Sequence, residues 1–192
     1  DMATRDSNHK ILNAIAKAVP GFIGGSADLA PSNKTNLIDM GDFPKGRNIH
    51  FGIKEHSMAA ISNAMNIYGL FKVFNATFFI FSDYLKPAAR LAALSNISTH
   101  FVWTHDSIGV GEDGSTHQPV EQLSQFRAMP NFYTFRPADA VENIECWKTA
   151  LTMDAPTGFV CSRQALRNLN GRKVTGDVSN GGYLLEKRDG AD

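Results

Sequence analysis

Residues 105–119 read HDSIGVGEDGSTHQP. From Gly109 the run spells G-V-G-E-D-G, which satisfies the G-x-G-x-x-G pattern of a dinucleotide-binding loop. In such a loop a helix opens within the glycines, so that its N-terminus faces the pyrophosphate. Here Gly114 is followed by S-T-H-Q-P, and helical periodicity resumes only near Val120. Glu112 and Asp113 would oppose a bound pyrophosphate. The following strand, FYTFRP, ends in Arg136 where the fingerprint expects an acidic residue. Helix placement and charge therefore weaken the dinucleotide reading. What remains is a glycine-rich loop whose backbone can approach a ligand closely. It carries two histidines, His105 and His117, able to transfer protons or to donate hydrogen bonds to phosphate or carbonyl oxygen. A solvated polar loop is the competing reading. A metal site from the two histidines and a carboxylate has no recognised short spacing.

Outward from this loop, strands and helices alternate. HFVWTH precedes it as a buried strand, and FYTFRP and TGFVCSR follow as strands. Upstream, FIGGSAD and FKVFNATF also read as strands. Helices are predicted over 6–19 (apolar Ile11, Leu12, Ile15, Val19), from Glu55 to Gly69 (Met58, Ile61, Met65, Tyr68), and to about Leu94. Two more are predicted over 120–129 and around Val141, Ile144, Trp147 and Leu151, with Asp139 near the start of the last. Residues 29–48, rich in Pro, Asn, Gly and Lys, read as a long loop. The pattern predicts an α/β fold with a mainly parallel sheet flanked by helices on both faces. Ligands in such folds bind at the carboxyl ends of the strands, and SADLAPSN, the 105–119 loop and SRQ all leave those ends.

Composition narrows the function classes. The 192 residues carry 19 basic and 19 acidic side chains, a balance that argues against a nucleic-acid partner. The longest apolar run, FFIF at 78–81, is far too short to span a membrane. Cys146 and Cys161 lack metal-ligand spacing and read as buried thiols in a reducing, cytoplasmic setting. The abrupt ends suggest a piece of a longer protein.

GGSADLAPSN, GIKEHSMAAI, ATFFIFSDY, THDSIGVGEDGSTHQPVEQL, RPAD and SRQAL stand in the order seen in transketolases. The chain closely resembles the central pyrimidine-binding (Pyr) domain of that family. The resemblance implies residues 1–166 as this domain and 167–192 as a linker toward a C-terminal domain. The N-terminal diphosphate-binding domain is not matched. It further implies thiamine diphosphate and a divalent metal (Mg or Ca) as cofactors, with the diphosphate and metal ligands outside this chain. The implied reaction moves a two-carbon ketol unit between sugar phosphates in the pentose phosphate pathway. The implied assembly is a homodimer whose active sites lie between subunits. The segment by itself is expected to be inactive and to expose an apolar patch.

Residue roles follow from the resemblance only. Glu55 would hydrogen-bond the aminopyrimidine and relay its proton, where position alone suggests a glutamate stabilising a helix N-terminus. Phe78, Phe81 and Tyr84 would stack on the pyrimidine ring, with Phe79 and Ile80 as core. Asp28 would sit near the cofactor at the subunit interface. Arg5, Ser32, His105 and Arg163 would grip sugar phosphate. Asp113 would recognise a substrate hydroxyl, and His117 would stand near the reacting oxygens. His105 and His117 join Glu55 as catalytic candidates. Two alternatives stay open: another thiamine-diphosphate enzyme, such as deoxyxylulose-phosphate synthase or a 2-oxo acid dehydrogenase subunit, and a non-catalytic transketolase-like interaction module.

Overall fold

The computed structural model describes residues 1–169, 178–183 and 190. FIGGS, HFVWT and TGFVC are buried along their whole length, and KVFNATF from Val73 onward. Strands apolar on both faces belong to parallel sheets covered on both sides. These segments form β1 (Phe22–Ser26), β3 (Lys72–Phe78), β4 (His100–Thr104) and β6 (Thr157–Cys161). With β2 (Asn48–His50) and β5 (Tyr133–Phe135) they make one six-stranded sheet in the order β2-β1-β3-β4-β6-β5. Every pair is parallel, as the alternation predicts.

Helices cover both faces. Met58 and Ala59 of α3 (Glu55–Tyr68) and Leu85, Ala88, Ala89 and Ala92 of α4 (Ser82–Leu94) pack with Phe101, Trp103 and Val160. On the other face Leu12 and Ala16 of α1 (Thr4–Ala18) and Trp147 and Ala150 of α6 (Ala140–Thr152) pack with Phe22, Phe74, Val102 and Phe159. Local signals fix the ends. Asp139 caps α6, accepting from the Val141 and Glu142 amides at 2.9 Å each. Gly69 ends α3 in a left-handed conformation that glycine adopts without strain. Cys146 and Cys161 are free and buried, and burial pushes both thiols up, Cys146 to about 12.

The fold departs from the sequence reading at several places. Residues 29–48 are not one loop: they contain α2 (Ala30–Asn33) and run into edge strand β2. α5 (Gln122–Arg127) is shorter than the predicted 120–129 helix. Ile61 and Tyr68 do not join Met58 in facing the core. They are exposed, and the buried stripe of α3 continues through polar Ser62 and Asn63, whose hydrogen bonds are made internally. Val141 and Ile144 of α6 are likewise partly exposed beside buried Trp147. The expected 167–192 linker lies largely outside the described residues, among which Tyr183 donates to Glu142 on α6 at 2.6 Å.

Residues 2 and 166 meet. Their backbones exchange hydrogen bonds of 3.2 and 3.1 Å, and the Arg5 amide donates to the Ser162 carbonyl. This stitch brings the start of α1 to the carboxyl end of β6. β1 and β3 are neighbours in the sheet, and β2 lies on the far side of β1. Chain direction therefore diverges at the carboxyl ends of β1 and β3, the switch point where open α/β sheets hold ligands.

Candidate active site

His105 follows the last residue of β4 and Asp28 lies two residues past β1. Both hold left-handed backbone angles, with φ of 60° and 61°. Such angles are uncommon outside glycine and persist where the surroundings over-determine them. At His105 the surroundings are explicit. Its ring is buried and stacks on Phe78, with centroids 3.7 Å apart. Phe78 stacks in turn with Phe81 at 5.9 Å, and Phe81 with Tyr84 at 6.1 Å. The short helical turn Phe79–Phe81 sets this spacing by turning the chain between β3 and α4. Phe79 goes the other way, into the core against Trp103. His117 stands edge-on to Phe81 and Phe78, at 5.3 and 6.0 Å.

Charged groups ring the two histidines. Arg163 Nη2 pairs with Glu112 at 3.1 Å, and Arg163 Nε lies 4.0 Å from Asp113 Oδ2. The same Asp113 oxygen is 3.9 Å from His105 Nε2. Arg5 donates from Nη1 to the Ser32 carbonyl at 2.9 Å, and its buried Nε has no partner among the described residues. An unpaired guanidinium N–H beside a second arginine suits an anionic ligand. Burial, then the nearby positive charge of Arg5, pulls His105 down to about 4. Its ring is therefore neutral at physiological pH. Burial also lowers Arg5, with Arg163 adding to the effect.

Beside this cluster a cleft of about 450 Å³ opens between Ala27, Asp28, Leu29, Ile53, Glu55, Phe81 and Tyr84. Its walls are mainly apolar, and Glu55 supplies a carboxyl at the first residue of α3. Glu55 is only 8% exposed, yet it has no hydrogen-bond or ion-pair partner among the described residues. With no protein group occupying it, this carboxyl is available to a ligand in the cleft. Tyr84 and Ile53 leave the rim open at 64% and 78% exposure. Phe81 belongs to both the cleft and the histidine cluster, so the two are one continuous site. Among the described residues no group of three His, Cys, Asp or Glu side chains could hold a metal ion.

All the residues singled out in the sequence meet at this end of the sheet, with Ser32 joining through its carbonyl rather than its hydroxyl. The remaining histidines stand apart: His100 is in the core, His50 pairs with Asp42, His9 contacts the Lys34 carbonyl, and His56 is exposed.

A family model described as transketolase, pyrimidine binding domain, matches residues 1–168. The chain belongs to the transketolase family. It is 51% identical to the transketolase of Halalkalibacterium halodurans, over 99% of this chain and 30% of that protein. It is 66% identical to the crystal structure of Campylobacter jejuni transketolase, with a TM-score of 0.95 over 98% of this chain and 30% of that one. It is 43% identical, with a TM-score of 0.94, to a Pichia stipitis transketolase solved in complex with sedoheptulose 7-phosphate. The chain thus spans about three tenths of the length of these transketolases.

Sequence reading gave no role to several groups that brace this candidate site. Ser26, Asn33 and Thr104 form a buried hydrogen-bonded chain behind His105. Asp106 pairs with Arg136 at 3.0 Å and ties the glycine-rich loop to the end of β5. Gln122 of α5 donates to Asp83 of α4 at 2.9 Å and braces the helix that carries Tyr84. These residues are ordinary strand, turn and helix types, and only their tertiary neighbours reveal them.

Proposed function

We propose that this chain is the pyrimidine-binding part of an enzyme that moves a two-carbon ketol unit between sugar phosphates with thiamine diphosphate. The observation that carries this reading is Glu55: a carboxyl without a protein partner, lining an apolar cleft walled by Phe81 and Tyr84. A flat aminopyrimidine fits that chemistry, with its faces against the aromatic and apolar walls and a ring nitrogen opposite the carboxyl. When bound, thiamine diphosphate supplies the nucleophilic carbon for the ketol group. Glu55 holds and returns a proton at the ring nitrogen. Arg5 and Arg163 receive the substrate phosphate, as suits guanidinium forks. Asp113 accepts from a substrate hydroxyl, and His117 stands ready to move a proton at the reacting oxygens.

Residues 1–166 serve as the Pyr domain in this proposal, and 167–192 lead toward a further domain. The diphosphate and a divalent metal (Mg or Ca) are held by residues outside this chain, so the segment alone is inactive. The exposed apolar residues Ile61, Tyr68, Leu91 and Leu94 on α3 and α4 support a homodimer that covers them. No described helix is long and apolar enough to cross a membrane. The proposed location is the cytoplasm, and neither nucleic acid nor membrane is a proposed partner.

The test uses the full-length enzyme containing this segment, assayed for ketol transfer from xylulose 5-phosphate to ribose 5-phosphate with thiamine diphosphate and a divalent metal. Glu55→Gln is expected to lower kcat by roughly 10²–10⁴-fold with the fold intact, the usual cost of one acid–base group. An unaffected variant would overturn the role of Glu55. No transfer by the unsubstituted enzyme would overturn the ketol-transfer reading itself.

A further inference from the structure

Behind His105 lies a chain of buried polar groups with a fixed direction. Ser26 Oγ donates to the Ala76 carbonyl at 3.0 Å, and a carbonyl only accepts, so the single Ser26 hydroxyl proton is committed there. The Leu29 amide donates to Ser26 Oγ at 3.3 Å, and Asn33 Nδ2 donates to it at 2.8 Å. Asn33 therefore turns its carbonyl oxygen toward Thr104. Thr104 Oγ1 lies 2.7 Å from that oxygen and gives it the only proton it has. Thr104 Oγ1 also lies 2.8 Å from His105 Nδ1. With its proton already committed, Thr104 can only accept there, so Nδ1 must carry hydrogen. The opposite amide orientation of Asn33 would require the proton that Ser26 gives to Ala76 and would lose that bond. Ser26, Asn33, Thr104 and His105 are all buried, so water does not relax the constraint.

We infer that Ser26, Asn33 and Thr104 are positioning residues that hold His105 as the Nδ1–H tautomer, leaving Nε2 as a bare acceptor for an O–H of the bound substrate. Nε2 lies on the side of Asp113. Their 3.9 Å separation is too long for a hydrogen bond, so Asp113 does not fix a proton on Nε2. Phe78 fixes the plane of the ring and Thr104 fixes its proton. The pull of burial and Arg5 keeps the ring neutral, as an acceptor requires. The O–H belongs either to a sugar hydroxyl or to a singly protonated phosphate. The kinetic half of this inference rests on the ketol-transfer reading; the tautomer does not.

Neutron diffraction of the deuterium-exchanged full-length enzyme near neutral pH reads the tautomer directly. Deuterium is expected on His105 Nδ1 and none on Nε2. Deuterium on Nε2 overturns the inference. In the kinetic arm, Thr104→Val removes the acceptor at Nδ1 while Thr104→Ser keeps it. Thr104→Val is expected to lower kcat/KM by roughly 10–100-fold, as loss of a group that orients a functional histidine does, with Thr104→Ser restoring most of it. Thr104→Val matching the unsubstituted enzyme would overturn the positioning role. Ribose and ribose 5-phosphate as acceptors separate the two sources. An equal loss for both assigns the O–H to the sugar, and a loss confined to the phosphorylated acceptor assigns it to the phosphate. Without ketol transfer in the unsubstituted enzyme the ketol-transfer reading falls, and the neutron result still decides the tautomer.

Discussion

The imidazole of His105 lies against the ring of Phe78 with centroids 3.7 Å apart and planes inclined by 26°. The contact joins the end of β4 to the end of β3, and through Phe81 it reaches the cleft that holds Glu55. It also removes water from one face of the imidazole. A ring packed this way, near Arg5 and Arg163, resists protonation.

That resistance makes the fold acid-sensitive. Burial and Arg5 set His105 to about 4, and burial and Lys72 set His100 to about 3, against 6.5 for an unhindered histidine. Below pH 6.5 the unfolded chain binds protons that the folded chain refuses. The stability from these two groups is therefore full above pH 6.5. It is lost as pH falls toward 4 for His105 and toward 3 for His100. Between pH 7 and pH 5 the expected loss is on the order of 2 kcal/mol for each histidine. Urea unfolding at the two pH values measures it, and His100→Gln should remove one share of the difference. Identical unfolding midpoints at pH 7 and pH 5 would contradict this account.

Arg163 predicts a substrate-selective defect. Its guanidinium pairs with Glu112 and lies near Asp113 at the carboxyl end of β6, and the proposed phosphate contact adds to these. Arg163→Ala in the full-length enzyme is expected to lower kcat/KM for a phosphorylated acceptor by about 10–100-fold, the worth of charged hydrogen bonds to phosphate. The same change should leave an unphosphorylated acceptor nearly untouched. A uniform loss for both acceptors would assign Arg163 to the loop rather than to the phosphate.

Gly25 predicts the fate of the edge strand. A Cβ built there would lie 1.8 Å from the Ile49 carbonyl oxygen of β2, which is backbone and cannot swing aside as a side chain would. Gly25→Ala is expected to displace β2 from β1, at a cost of about 1–3 kcal/mol. Hydrogen exchange should then speed up at the amides that β2 pairs with β1, while the β3–β4 amides stay protected. Unchanged exchange along β2 would mean that the strand shifts without parting.

The legible part of the fold was the part that repeats. β1, β3, β4 and β6 are short, largely apolar runs that are buried almost throughout, and runs of that kind are recognisable without partners. β2 was not legible, because a three-residue edge strand of half-exposed residues carries no periodic signal. The face of α3 was misjudged for a physical reason. Ser62 and Asn63 satisfy their polar groups internally and so can face the core, while Ile61 and Tyr68 are turned outward. At the site, charged and aromatic residues of distinctive type, such as Glu55, His105 and Arg163, stood out in the sequence. Ser26, Asn33 and Thr104 did not, because their importance lies in the direction of three hydrogen bonds between residues up to 71 positions apart.

The backbone bridge between Met2 and Leu166 has a mechanical consequence. Arg5 and Arg163 each lie three residues inside that bridge, one from either side. A pull that parts residue 2 from residue 166 therefore tends to part the two guanidiniums as well. Tension carried into this joint by the flanking chain would open the proposed anion grip from behind, without touching the cleft.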